Sequence, residues 1–180
     1  MAKTSGKDGT TLLTGTPGIR QGAATRVVEV ASKLGVNEAP GQSLLDQMRS
    51  IGVAGAREVR VSSLYEISGR LSPAQVDLLG RTVLCDPITQ EFRLDMSASS
   101  PAFLIGPHWR VEVWLKPQVA DPVGESVSKA LKDMGLPEPE SVRTGTAYQI
   151  VGRITQNQID KVVNNLLAHP LIHRTKVAQL

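Results

Sequence analysis

Few residues of this chain combine a reactive side chain with a spacing that could support catalysis. The single cysteine, Cys85, lies at the end of an apolar helical stripe, which is typical of a small core residue. His169 and His173 are four residues apart, as metal ligands on one helix would be, but Pro170 between them breaks helical geometry. His108 stands alone before Trp109. We therefore predict no catalytic, metal-binding or cofactor-binding residue in this chain.

The remaining charged and aromatic residues that could have a function recur at a fixed distance along the chain. Residues 28–94 align without a gap on residues 111–177, at an offset of 83, and 18 of the 67 positions are identical. Chance at ordinary residue frequencies would give about four identities. The sequence therefore predicts a tandem duplication, and any function must use two similar units.

Several polar residues occur in both copies. Among the acidic ones, Glu29 recurs as Glu112 and Asp77 recurs as Asp160, and we expect all four to be solvated structural residues. Arginine and tyrosine residues also recur on the central strands and just before the second helices, where they could contact a partner protein. These interface candidates are Arg60, Tyr65, Arg70, Arg143, Tyr148 and Arg153.

Hydrophobic periodicity predicts the same elements in each copy. Alternating apolar residues indicate strands, and stripes at helical spacing indicate two helices per copy. Ser72–Gln75 and Thr155–Gln158 both match a capping box, which marks a helix start. The predicted unit is β-α-β-α-β, with a middle strand that is either one long strand or is split near Gly145, where a bend or bulge would fit. The fold class is α+β, with antiparallel-rich sheets that carry helices on one face and join as a pseudo-dimer, edge to edge or face to face.

Composition divides the chain into four segments. Residues 1–24 are rich in Gly, Ser, Thr and Lys and are predicted to form a flexible tail. The first repeat spans 25–95, a linker spans 96–109 and the second repeat spans 110–180. The linker carries Phe103, Leu104 and Ile105, which we expect to lie on the body of the protein.

Charge and composition also limit the classes of partner. The net charge is +3 among 37 formal charges, which does not indicate the basic patch of a nucleic-acid-binding protein. Although RNA-recognition domains share a similar element order, they stack bases on strand aromatics, and this chain has only two Trp, two Tyr and two Phe. No apolar run approaches the 18 or so residues of a membrane span. We expect a cytoplasmic protein that binds neither nucleic acid nor membrane.

The second copy resembles the small accessory subunit of phosphoribosylformylglycinamidine synthase, the PurS type. The segments that carry the likeness are VEVWLK (111–116), VADPVGESV (119–127), ALKDMG (130–135), VRTG (142–145) and LLAHP (166–170). The first copy is similar from Val59 to Leu94. Where the family commonly has lysine after the Val-Arg-x-Gly run, this chain has Thr146, so a role tied to that lysine is not carried over.

The resemblance implies a part in the fourth step of purine synthesis. In that family a large synthase subunit uses ATP and magnesium, a glutaminase subunit releases ammonia, and the accessory subunit bridges the two without catalytic residues. A doubled unit implies a covalent pseudo-dimer. The expected partners are therefore the large synthase subunit and the glutaminase subunit, and self-association of the chain stays open.

Two other functions remain open from the sequence. Tandem units of this kind also serve as regulatory modules that bind an amino acid or a nucleotide between copies, and Gly41, Gly124 and Gly145 could line such a site. An independent enzyme is the other alternative, although no group of residues in the sequence points to its chemistry.

Overall fold

The computed structural model describes residues 23–36, 38–96, 102–104 and 106–180, which form six strands and four helices. The strands are β1 (Ala24–Ser32), β2 (Ala56–Gly69), β3 (Gln90–Leu94), β4 (Trp109–Leu115), β5 (Ser141–Gly152) and β6 (His173–Gln179). The helices are α1 (Ala39–Ser50), α2 (Pro73–Leu79), α3 (Pro122–Asp133) and α4 (Gln156–Val162). The fold is α+β, as predicted.

All six strands belong to one antiparallel sheet in the order β3-β1-β2-β5-β4-β6. The halves therefore join edge to edge through β2 and β5, and the face-to-face alternative is wrong. Ser63 pairs with Thr146, its own counterpart at the offset of 83, and the pairs on either side are related by the same symmetry. The pairs within each half also match, since Val28 faces Tyr65 as Val111 faces Tyr148. This arrangement is compatible with a tandem duplication.

Capping groups fix the helix starts as the sequence predicts. Ser72 and Thr155 each accept the N–H of the glutamine three residues later, and both capping boxes are complete. α1 and α3 are followed by Gly52 and Gly135, whose φ angles of 83° and 69° suit glycine.

The helices cover one face of the sheet, and the apolar cores beneath them combine residues of both halves. One core contains Leu44 and Met48 of α1 together with Ile159 and Val162 of α4. The other contains Val76 and Leu79 of α2 with Val127 and Leu131 of α3. Each core therefore lies beneath the first helix of one half and the second helix of the other. The two halves depend on each other to bury their apolar residues.

In each half the middle strand is one long strand, as in the first of the two predicted alternatives, and the second helix continues into a π-helical turn. The middle strands are unsplit, and the register of β5 continues through Gly145, which faces Leu64 on one side and Trp114 on the other. A Cβ at this glycine would overlap the Trp114 ring, so close packing explains the residue better than a bulge. The second helices do not stay α-helical to their ends, because π-helical turns follow at Gly80–Leu84 and Val163–Leu167. Val83, in the first of these turns, is 44% exposed.

Residues 102–104 of the linker lie against the sheet, as predicted for Phe103, which is 3% exposed. It packs with Ala31 and Ala102. Ile105 and most of the predicted N-terminal tail lie outside the described residues, and β1 already begins at Ala24. None of the helices in the described part of the chain is long and apolar enough to cross a membrane.

Candidate functional site

The six predicted interface residues do not form a single site. Arg60 and Arg143 lie on the sheet face opposite the helices, where Arg60 pairs with Gln149 and Arg143 with Glu66 across the central strands. Arg60 and Glu66 are six residue steps apart, or about 20 Å of strand, which keeps the two arginines apart. Arg60 bonds Glu58 at 2.8 Å, and Arg143 donates to the Pro117 carbonyl at 2.9 Å.

The two tyrosines lie on the helix-covered face. Tyr65 packs at the margin of one apolar core and Tyr148 at the margin of the other. Burial raises the pKa of both hydroxyls above 10.0, and hydrogen bonds to Ser63 and Thr146 partly offset this. Their aromatic rings therefore contribute to the cores and are only partly available to a partner.

Arg70 and Arg153 are exposed and follow the ends of β2 and β5. Because these strands are antiparallel, the two arginines stand at opposite ends of the central pair. Of the six candidates, these two are the most accessible to another protein.

The sheet face opposite the helices carries a buried charged cluster that we define as Glu29, Arg93, Arg110 and Glu112. Glu29 is 1% exposed. Its carboxylate accepts from two nitrogens of Arg110 at 3.0 and 3.1 Å and from Arg93 Nε at 2.8 Å. Ser62 Oγ also donates to it at 2.5 Å. The expectation of a solvated Glu29 is therefore wrong, because two cations and a hydroxyl satisfy it inside the fold.

The charged cluster joins the two halves. Glu29 is on β1 and Arg110 is on β4, and their side chains meet over Ser62 and Ala147 of the intervening central strands. Burial raises the pKa of Glu29, but the hydrogen bonds and charges of Arg110, with those of Ser62 and Arg93, outweigh it and hold this pKa below 4.5. For Arg110, burial lowers the pKa, but Glu29 and Glu112 outweigh it and raise the pKa further.

The same face is filled differently in the two halves. Beside β3 of the first half, Phe103 lies 4.3 Å under the Arg93 guanidinium. The next linker residue contacts the second half, where the Leu104 N–H donates to Gln149 Oε1 at 2.9 Å. In the second half Trp114 lies under Arg174 at 5.6 Å, and a cavity of about 380 Å³ remains beside it. Phe103 and Leu104 thus lie over one side of the face, and the cavity lies on the other.

The three glycines considered as a ligand site are not brought together. Gly41 lines a cavity of about 410 Å³ beside the start of α1. Gly145 lines a separate one of about 250 Å³, and Gly124 packs against the Asp121 carboxylate that caps α3. A single effector site between the copies does not follow from this placement.

The remaining reactive side chains, one cysteine and two histidines, make contacts within the fold. Cys85 packs at the edge of an apolar core, and burial followed by the charge of Asp86 raises the pKa of its thiol above 9.0. The Nδ1 atoms of His169 and His173 accept backbone N–H groups at 3.3 and 3.0 Å. Within the described ranges, no three His, Cys, Asp or Glu residues are placed to hold a metal ion.

The sequence contained a partial signal for the charged cluster. Glu29 and Glu112 recur between inward-facing valines, so a strand must place them on its other face. Arg110 has no such signal, because its counterpart in the first copy is Val27. Only the pairing of β2 with β5 brings Arg110 close to Glu29.

Comparison with known proteins finds a family match in the second half of the chain. The model of the PurS family, described as phosphoribosylformylglycinamidine (FGAM) synthase, matches residues 108–179. No curated protein matches the chain. The matched range begins beside β4 and ends with β6, so it contains every element of the second half. Over residues 108–179 the chain is therefore similar to the PurS family of FGAM synthase.

Proposed function

We propose that this chain is a non-catalytic accessory subunit of FGAM synthase that acts in cytoplasmic purine biosynthesis and bridges the ATP-dependent synthase and the glutaminase. The observation that carries the proposal is the PurS match over residues 108–179. In this proposal ATP and magnesium are used by the partner synthase, and the chain binds no cofactor.

We further propose that the chain is a covalent pseudo-dimer of two PurS-type units. The identities at an offset of 83 and the matched registers of the two halves support this. The pairing of Ser63 with Thr146 gives the symmetry that two associated copies of one unit would have. The cores that combine helices from both halves also favour one obligate body.

The proposal is tested by purifying the tagged full chain from its native extract and identifying the retained proteins by mass. Recovery of both the synthase and the glutaminase, with glutamine-dependent activity, is the expected result. Recovery of neither subunit, with magnesium, glutamine and ADP present, would contradict the accessory role.

The same preparation addresses the regulatory alternative. The cavity of about 410 Å³ beside Gly41 is larger than the one of about 250 Å³ beside Gly145, so we consider it first as a site for a small effector. An accessory subunit should show no thermal shift with an amino acid or a purine nucleotide in the absence of its partners. A saturable shift would favour the regulatory module instead.

A further inference from the structure

The cavity of about 380 Å³ beside Trp114 lies on the sheet face opposite the helices. Trp114, Lys176 and Glu66 are among the residues that line it. The two halves of the sheet are related by an approximate two-fold axis, because Ser63 pairs with Thr146, its own counterpart at the offset of 83. The same axis defines an equivalent position on the other side of this face.

Linker residues occupy that equivalent position. Phe103 packs with Ala31 and its ring centroid lies 4.3 Å from the Arg93 guanidinium. The Leu104 N–H donates to Gln149 Oε1 at 2.9 Å. The three residues that the linker contacts in this way are the counterparts, at the offset of 83, of the three cavity residues named above. The cavity therefore lies where a second segment like the linker would be expected.

The segment that corresponds to the linker is the one before β1, because the linker precedes β4. Residues 17–22 are PGIRQG and residues 101–106 are PAFLIG. Each has a proline, a small residue, a large apolar residue and, three positions after that, a glycine. This alignment places Ile19 opposite Phe103, at an offset of 84. Residues 17–22 lie outside the described part of the chain.

The segment before β1 is close enough to reach the cavity. Val27, near the start of β1, is one of the residues that line it. Ile19 is eight residue steps before Val27, and eight extended residues reach up to about 26 Å. Chain length therefore does not prevent Ile19 from entering the cavity.

The apolar side chains have complementary sizes on the two sides of the axis. On the linker side the sheet residue is small, Ala31, and the residue that covers it is large, Phe103. On the cavity side the sheet residue is the larger Trp114, and the segment carries the smaller Ile19. Met96 also lines the cavity and is 42% exposed, so apolar surface remains there to be buried.

The polar contact of the linker also has an equivalent. Glu66 replaces Gln149 and likewise carries a side-chain oxygen that can accept a backbone N–H. Its bond from Arg174 at 2.9 Å leaves capacity for another donor, because a carboxylate accepts several hydrogen bonds. In the alignment of the two motifs, Arg20 takes the position of Leu104.

We propose that residues 17–22 of this chain dock in the cavity, with Ile19 against Trp114 and the Arg20 N–H donating to Glu66. The segment then covers one side of the sheet face as the linker covers the other. This inference replaces the expectation of a flexible tail for these six residues. It does not depend on the proposed function, since every contact lies within one chain. The competing occupants are the same segment of a second copy and a segment of a partner protein.

Limited proteolysis of the full chain with trypsin tests the docking. Arg20 and Lys3 both precede β1, but only Arg20 lies in the proposed contact. A docked segment must leave the cavity before trypsin can cleave it, so the cleavage rate follows the undocked fraction. We expect cleavage after Arg20 to be at least about tenfold slower than cleavage after Lys3, because burial of an isoleucine side chain is worth about this factor or more. Mass spectrometry measures both rates.

Two variants identify the side chain that is responsible. Ile19→Ser should remove most of the difference between the two cleavage rates. Leu13→Ser is the matched control, because it removes an aliphatic side chain of the same segment but lies outside the motif, and it should leave the difference unchanged. Thermal unfolding checks that both variants fold.

A measurement on the unsubstituted chain makes the test independent of the variants. Nuclear Overhauser effects should connect the Ile19 methyl groups with the Trp114 indole ring. Absence of this contact, or equal cleavage after Arg20 and Lys3, would overturn the inference. Protection that is lost on dilution, with a dimer in light scattering, would assign the cavity to a second copy and also overturn it. These results leave the accessory role unaffected, because that role is tested by recovery of the synthase and the glutaminase.

Discussion

Neutralising the buried carboxylate of Glu29 should destabilise the fold strongly. The Glu29 side chain is 2% exposed and that of Arg110 is 4% exposed, so water screens their interaction very little. Glu29→Gln keeps the size of the side chain but removes its negative charge. The positive charges of Arg93 and Arg110 are then opposed within the charged cluster by Glu112 alone. Breaking a buried pair in this way costs about 3–5 kcal/mol. At about 2–4 °C per kcal/mol for a chain of this size, the melting temperature should fall by about 6–20 °C.

Thermal unfolding followed by circular dichroism measures this effect, and Asp46→Asn is its control. Asp46 pairs with Arg49 on the exposed side of α1, where an ion pair contributes little, so the control should melt as the unsubstituted chain does. Replacing both Glu29 and Arg110 by leucine should cost at least about 1 kcal/mol less than the sum of the single replacements, because the double variant leaves neither of the two charges buried alone. A fall of less than about 2 °C for Glu29→Gln would refute the reasoning.

Three further predictions follow from individual side chains. Because the pKa of Glu29 is depressed in the folded protein, its stabilising contribution is present above pH 4.5 and is lost as the pH falls below this value. Urea titrations at pH 7 and pH 3 should therefore give a lower free energy of unfolding at pH 3. The Glu29→Gln variant should show a smaller difference between the two pH values. Gly41→Ala should lower the free energy of unfolding by about 1–3 kcal/mol or more in a urea titration, because its Cβ would overlap the Val59 carbonyl oxygen. Ala74→Gly, on the exposed side of α2, is the control, and we expect it to lower the free energy of unfolding less. Cys85 should react with a thiol reagent at pH 7.5 more slowly than a free cysteine, because its raised pKa reduces the thiolate fraction, and denaturation should remove the difference.

Much of the secondary structure could be predicted from local patterns. The capping boxes at Ser72 and Thr155 and the glycines after α1 and α3 act within one helical turn, so the sequence contains all of their determinants. The apolar alternation of β4 likewise identifies a strand with one face toward the helices. The repeat then extends each of these predictions to the other half of the chain.

Long-range pairing could not be predicted in the same way. The bond between Glu29 and Arg110 depends on which strand edges meet, and periodicity within a strand carries no information about its neighbour. The π-helical turns begin at Gly80 in one half and at its counterpart Val163 in the other, so the residue type at this position does not predict them. Repetition of the interface candidates identified equivalent positions, but it could not show that the two members of each pair lie apart.

The most direct test of the accessory role is reconstitution of FGAM synthase activity from purified synthase and glutaminase, with and without this chain. Glutamine-dependent turnover should require the full chain, whereas turnover with free ammonia should depend on it much less, because a bridging subunit serves the coupling of the two partners. Equal glutamine-dependent turnover in the absence of the chain would contradict the account.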